Sequence, residues 1–417
     1  MQTIRQLRFS INSLCVYQGL QQDPYIASLM ELLSERLACA DRAAAAYSRF
    51  YQLLCGPGGA PSLSQAVADR VRHADNLFTR LCAAGRLEEL PPHLTEAVRR
   101  DLAALSALAQ LSCTDVKKHL QQLFPNDAAA IGFLPEYPAG GDAAQIMDIT
   151  GLAAYHKKNG YGIFARSNAL ALDLSEGLGL RPVQNPDDIR LEQLKGYARE
   201  REQVVDNTLS LLTGKPANNI LLYGDRGTGK SSTVKAVLNE FAPQGLRLIE
   251  VPKHQLAYLS QVIGLLAESP LKFIIFTDDL SFGDSDDSYT ALKAVLEGSV
   301  SKLPSNMVIY ATSNRRHLVR QTFSGREGDE VHLADTRDET ASLSDRFGIT
   351  ITFLSPDKLR FLDIVAAIAA DRGLTLDEET LSAAANRWAA RRGSFSPRTA
   401  SQFVDWASSR LQRGLSL

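Results

Sequence analysis

The sequence predicts an α/β protein with a mostly α-helical N-terminal domain, on three observations. From residue 190 onward short apolar runs alternate with helical patterns, the signature of a parallel sheet covered on both faces. Residues 1 to about 125 instead repeat Leu at spacings of three and four among Ala, Arg and Glu. After Ser355-Pro356 the apolar runs stop, and three helical stretches close the chain.

In chain order, Leu29, Leu32, Leu33 and Leu37 mark the apolar face of an early helix. Further helices are expected at 39–55, 62–84, 93–110 and 114–123, punctuated by Gly56-Pro57-Gly58-Gly59, Pro91-Pro92 and Pro125. Residues 132–141 form a Pro- and Gly-rich loop. Asn159-Gly160, between 152–156 and 161–165, predicts a β-hairpin, and 181–189, with Pro182 and Pro186, reads as a linker. Strands are expected at 219–223, 246–251, 273–277, 307–312 and 349–353, and closing helices at 356–372, 377–391 and 397–413. The parts are then a helical domain at 1–150, a hairpin and linker at 151–189, an αβ core at 190–355 and a helical lid at 356–417.

The 417 residues carry 45 Lys+Arg against 47 Asp+Glu, and 45% are hydrophobic, which excludes a mostly disordered or collagen-like chain. Charge is balanced along the chain, so no domain has the basic field of an electrostatic nucleic-acid binder, and nucleic acid is not indicated as a partner. No apolar run approaches the roughly 20 residues of a membrane helix. Asn12, Ser13 and Gln18 interrupt the first apolar stretch, so no signal peptide is expected. Cys15, Cys39, Cys55, Cys82 and Cys113 are widely spaced and include no CxxC pair, which points away from zinc or disulfides. Reduced thiols packed as small apolar groups in helices, in a cytoplasmic protein, are the expectation.

The strongest motif is Gly224-Asp225-Arg226-Gly227-Thr228-Gly229-Lys230-Ser231, a complete G-x-x-x-x-G-K-[ST] between a strand and a helix. In such a P-loop, successive N–H groups and the positive end of the helix hold a phosphate chain. Lys230 is placed to reach the β- and γ-phosphates, and Ser231 to ligate Mg²⁺. Next, 273–277 ends in Asp278-Asp279, at the strand end where open parallel sheets bind ligands. Asp278 is the candidate metal-supporting acid and Asp279 the carboxylate that orients water; a solvated acidic loop with Asp284, Asp286 and Asp287 is the plainer alternative.

Asn314 ends the strand 307–312 with a donor and an acceptor suited to fixing a water, though a capping Asn would look the same. Arg315 and Arg316 touch phosphate, a neighbouring subunit or only solvent. Arg346, in Ser344-Asp345-Arg346-Phe347-Gly348, stands at a domain edge where its planar fork can complete a site on another copy; a salt bridge to Asp345 or Asp338 is the alternative. Ser396-Pro397 is a helix start, and Arg398 in its first turn calls for a nearby anion, phosphate or else Glu378 or Glu379. His156-Lys157-Lys158 reads as a charged turn.

P-loop, paired acids, strand-tip Asn, edge Arg and an Arg-bearing helical lid together resemble an AAA+ ATPase. The runs 215–232, 278–282 and 311–317 are similar to those of functionally uncharacterised bacterial AAA+ ATP-binding proteins. The resemblance covers about 185–417. It implies a five-stranded parallel core of order 5-1-4-3-2 followed by the lid. It also implies ATP and Mg²⁺ as cofactors, Asn314 as sensor 1, Arg346 as arginine finger and Arg398 as sensor 2. Ser232 closes the phosphate-binding run, and Tyr197, in Leu194-Lys195-Gly196-Tyr197, would border the adenine. Asp279 departs from the family's usual Glu, and 252–256 lacks an aromatic-glycine pore loop. The expected activity is Mg-dependent ATP hydrolysis coupled to conformational change or partner remodelling. A nucleotide-gated binding module with slow turnover is the alternative, and a small-molecule phosphotransferase a third. Homo-oligomeric or nucleotide-dependent assembly, and a protein partner on the N-terminal helices, are expected.

Overall fold

Polar side chains cap the starts of helices Pro24–Leu32, Leu63–Arg72, Leu77–Ala84 and Cys113–Leu123. The computed structural model describes residues 4–138, 148–175, 177–282, 287–297, 303–314 and 346–417, and the chain divides into the units Met1–Arg166 and Ser167–Leu417. The stretch expected as one helix over 62–84 is two, Leu63–Arg72 and Leu77–Ala84. Asn76 and Thr79 form a reciprocal capping box that starts the second afresh. Ser112 and Asp115 do the same for Cys113–Leu123. Leu29, Leu32 and Leu33 turn inward as their spacing requires, and pack in one core with Phe50, Phe78 and Leu105.

Inside that core Asp101, 1% exposed, accepts the N–H groups of Cys15 (3.0 Å), Val16 (2.7 Å) and Tyr17 (3.0 Å). It thereby satisfies three backbone donors in a turn that no secondary structure pairs.

Two expectations for this unit are corrected. The hairpin around Asn159-Gly160 is a helix, Ile149–Asn159, started by the Asp148 side chain accepting from Gly151 N–H. Gly160 ends it at φ +80°, so the Asn-Gly pair serves as a helix terminus rather than a hairpin turn. His156 lies buried in that helix, its Nδ1 2.8 Å from the Gly160 carbonyl. Of the cysteines, only Cys82 and Cys113 are buried; Cys15, Cys39 and Cys55 are exposed.

In the second unit the described strands form one sheet: β1 (Ala169–Asp173), β2 (Gly179–Pro182), β3 (Ile220–Gly224), β4 (Leu246–Glu250), β5 (Lys272–Thr277), β6 (Met307–Ser313) and β7 (Ile349–Phe353). It has seven strands in the order β2-β1-β4-β5-β6-β3-β7 rather than five; the expected strands, β3 to β7, lie within it as β7-β3-β6-β5-β4, the order 5-1-4-3-2, and one further pair extends the sheet beyond β4. The additional pair is an antiparallel hairpin whose strand β1 adds in parallel to β4, Leu170 opposite Ile249. The expected linker 181–189 therefore begins inside a strand. The remaining pairings are parallel. Phe273, Ile274 and Ile275 are each 0% exposed, as a strand covered on both faces requires.

The P-loop strand β3 lies between β6 and β7, so the loop leaves the sheet with a neighbour on each side. Helices Lys358–Asp371, Glu378–Arg392 and Pro397–Gln412 close the chain around Phe361, Ala385, Phe403 and Val404. Asp357, Asp377 and Ser396 cap their starts through side-chain oxygens. Among the described residues no helix is long and apolar enough to cross a membrane.

Candidate phosphate-binding site

The 224–231 loop bends at the end of β3 because a side chain has no room there. Gly224 has φ +138°, and a Cβ on it would lie 2.0 Å from the Phe353 carbonyl oxygen. The loop is fastened on both flanks. Asp225 donates its N–H to Phe353 O (3.0 Å), and its carboxylate accepts the Ser355 N–H (2.8 Å). That bond holds the Asp225 carboxyl below the usual carboxylate range. Opposite, Arg398 N–H donates to Gly227 O (3.1 Å), so the last lid helix begins against the loop.

Helix Lys230–Phe241 starts at Gly229 without a side-chain cap. Lys230 is 6% exposed, and its Nζ donates to Gly224 O (2.8 Å), Asp225 O (2.8 Å) and Asn314 Oδ1 (3.1 Å). Burial lowers its pKa, the carboxylates of Asp225, Asp278 and Asp279 oppose that, and Arg398 adds to it. Ser231 Oγ donates to Asp278 Oδ1 (2.6 Å), and Asn314 Nδ2 donates to Asp279 Oδ1 (2.6 Å). P-loop, paired acids and strand-tip Asn, separated in sequence, are thus one hydrogen-bonded cluster.

The cluster lines a cleft of about 1180 Å³ to which Arg226, Gly227, Thr228, Gly229, Ser232 and Arg398 also contribute. Asp187, Lys195 and Arg201 stand on its other side. A phosphate chain with Mg²⁺ fits these residues. A Cβ on Gly229, at φ +96°, would meet nothing within 4 Å, so the backbone there is open to a ligand beside an uncapped helix start. A hydroxyl and a carboxylate, Ser231 and Asp278, are the hard oxygen donors magnesium takes. Among the described residues no group of three or more His, Cys, Asp or Glu could hold a metal by itself.

Other expected residues fall elsewhere. Tyr197 does not line the cleft: its ring packs against Phe353 with Arg360 over its face (4.7 Å), and its hydroxyl donates to Leu354 O. Burial raises that hydroxyl's pKa to about 12. Arg346 pairs with Glu297 at 2.5 Å. Asp338, Ser344 and Asp345 lie outside the described residues, as do Arg315 and Arg316. Sequence reasoning missed Arg201, whose guanidinium donates to Gly196 O and whose pKa burial lowers. It also missed Thr312, which touches both acids. Thr312 stood in the polar strand end already singled out; Arg201 left no signal.

The chain is thus an α/β protein whose Gly-rich loop runs from a central parallel strand into an uncapped helix, with acids on the next strand but one. Residues 165–411 match the family described as "Protein of unknown function (DUF815)", more than half of the chain, and the chain belongs to that family. No curated protein matches it. Solved structures of RuvB from Thermotoga maritima, titled a Holliday junction branch migration motor, are similar at 14% identity and a TM-score of 0.37. The match covers 54% of this chain and 66% of that one. A variant structure of RuvB gives 13% identity at the same TM-score. This chain therefore spans slightly less than two thirds of RuvB, a likeness too distant to bear on activity.

Proposed function

We propose that residues 167–417 are an AAA+ module that binds Mg·ATP and hydrolyses it. The reading is carried by Lys230, whose ammonium is held by three oxygens in the cleft beside the uncapped start of its own helix. Gly227, Thr228, Gly229, Lys230, Ser231 and Ser232 would cradle the phosphates, with Asp225 and Arg226 shaping the bend. Ser231 and Asp278 would hold Mg²⁺, which would supply positive charge to offset that of the phosphates. Asp279, oriented by Asn314, would take the proton of the attacking water. Arg398 would face the phosphates from the lid, and Arg346 would leave Glu297 to reach the site of a neighbouring copy.

Calorimetry of Mg·ATP against wild type and Lys230→Ala tests the reading; equal heats from the two chains would end it. Phosphate release per molecule should rise with protein concentration, and a flat profile across the association range would remove the trans role of Arg346.

A second reading, a nucleotide-gated module with slow turnover, is favoured by Asp279 itself. Its side chain is one methylene shorter than Glu, and its Oδ1 already accepts from Asn314. Asp279→Asn separates the two. Retained ATP affinity and retained output without hydrolysis favour the gate; output lost with hydrolysis favours the ATPase.

A further inference from the structure

Thr312 is 1% exposed, and its hydroxyl does two things at once. Oγ1 donates its single proton to Asp278 Oδ1 and accepts the Asp279 N–H at 3.0 Å. Ser231 Oγ donates to that same Oδ1 (2.6 Å), and among the described residues no hydrogen bond reaches Oδ2. One carboxylate oxygen is therefore pinned from two sides and the other left available. The sheet explains the placement. Thr277 on β5 stands opposite Ala311 on β6, so the next residues, Asp278 and Thr312, meet at the C-terminal edge. The N–H bond also engages Asp279 at φ +51°, a left-handed conformation that is strained for a non-Gly residue.

We propose that Thr312 is a positioning residue for magnesium, acting through Asp278: its hydroxyl fixes the carboxylate rotamer that presents Oδ2 to the ion. The proposal rests on the Mg·ATP reading above. Groups that orient a metal ligand typically matter about 10–100-fold for metal affinity.

The test is calorimetry of an unhydrolysable ATP analogue, with chelator and then with stepped Mg²⁺, on wild type, Thr312→Val and Thr312→Ser. Thr312→Val keeps the shape and removes the hydroxyl. Its metal-free affinity should match wild type, while the Mg²⁺ concentration that half-saturates the affinity gain should rise about tenfold. Thr312→Ser should match wild type in both. In an Asp278→Asn background the valine change should add nothing further to Mg²⁺ dependence, a coupling that packing alone does not produce.

An unchanged Mg²⁺ midpoint in Thr312→Val overturns the proposal and leaves the function reading intact. So does a serine variant as impaired as the valine one, since the methyl would then be what matters. A wild-type chain that binds no analogue overturns both. Should the valine chain not fold, Thr312→Cys, a weak donor in place of a strong one, carries the same comparison.

Discussion

Replacing Gly224 and, separately, Gly229 with Ala separates the two tasks of the phosphate loop. At Gly224 the added methyl would sit 2.0 Å from Phe353 O and 2.6 Å from the carbonyl carbon, both backbone atoms that no rotamer change can move. The β3 end must shift by about 1 Å or more, which breaks the Asp225 N–H bond to Phe353 O. Adding the φ +138° strain gives a loss of about 3 kcal/mol or more. At roughly 2–4 °C per kcal/mol for a unit of this size, melting of Ser167–Leu417 should fall by at least about 6 °C.

At Gly229 nothing lies within 4 Å of the added methyl, so only the strain at φ +96° remains, about 1–2 kcal/mol. The methyl stands in the cleft, however, where it would keep phosphate from the backbone. Two charge-assisted bonds lost at about 1.5 kcal/mol each lower nucleotide affinity about a hundredfold. Scanning calorimetry and nucleotide titration read the two effects. A Gly224→Ala chain that melts like wild type, or a Gly229→Ala chain that binds ATP like wild type, would refute the reasoning.

Asp101→Ala removes the buried acceptor shared by three backbone N–H groups and should destabilise Met1–Arg166 by about 2–4 kcal/mol, measured by urea unfolding. Burial lowers the imidazole pKa of His156, and of His73 and His119 in the same unit. The unfolded chain therefore binds more protons below pH about 6.5, and stability, full above that value, falls as the pH drops. Amide protection factors across 149–166, referenced to intrinsic exchange rates, should fall between pH 7.5 and 5.5, and His156→Gln should weaken that dependence; an undiminished response would assign it elsewhere. Arg346→Ala should change stability by less than about 1 kcal/mol, because its pair with Glu297 is partly solvated. Mixed with Lys230→Ala it should recover phosphate release if the arginine serves a neighbour, and mixtures as inactive as either variant alone would exclude that.

Legibility followed the range of the interactions. The P-loop, Asp278-Asp279 and Asn314 could be read because each is a local pattern, an apolar strand ending in the residues its chemistry needs. That they meet depends on β6 lying between β3 and β5, as in the order that the family resemblance implied. The β1–β2 hairpin escaped because 169–173 is short, and only its pairing with β4, more than seventy residues away, makes it part of the sheet. Asn159-Gly160 misled because positive φ after a polar residue suits a hairpin turn and a helix end alike, and the Asp148 cap decided between them. Tyr197 shows the limit of motif matching: its position fitted, but Phe353 and Arg360 claim the ring.

Asp225 accepts the Ser355 N–H with its carboxylate and Gly227 accepts the Arg398 N–H with its carbonyl, at the strand-to-lid junction and at the head of the final helix. A displacement of a few tenths of an ångström when an anion arrives would be felt by both attachments at once. If the cleft takes a nucleotide as proposed, its occupancy and the set of the closing helices would change together, and substitutions along 353–355 should alter nucleotide release although none of those residues lines the cleft.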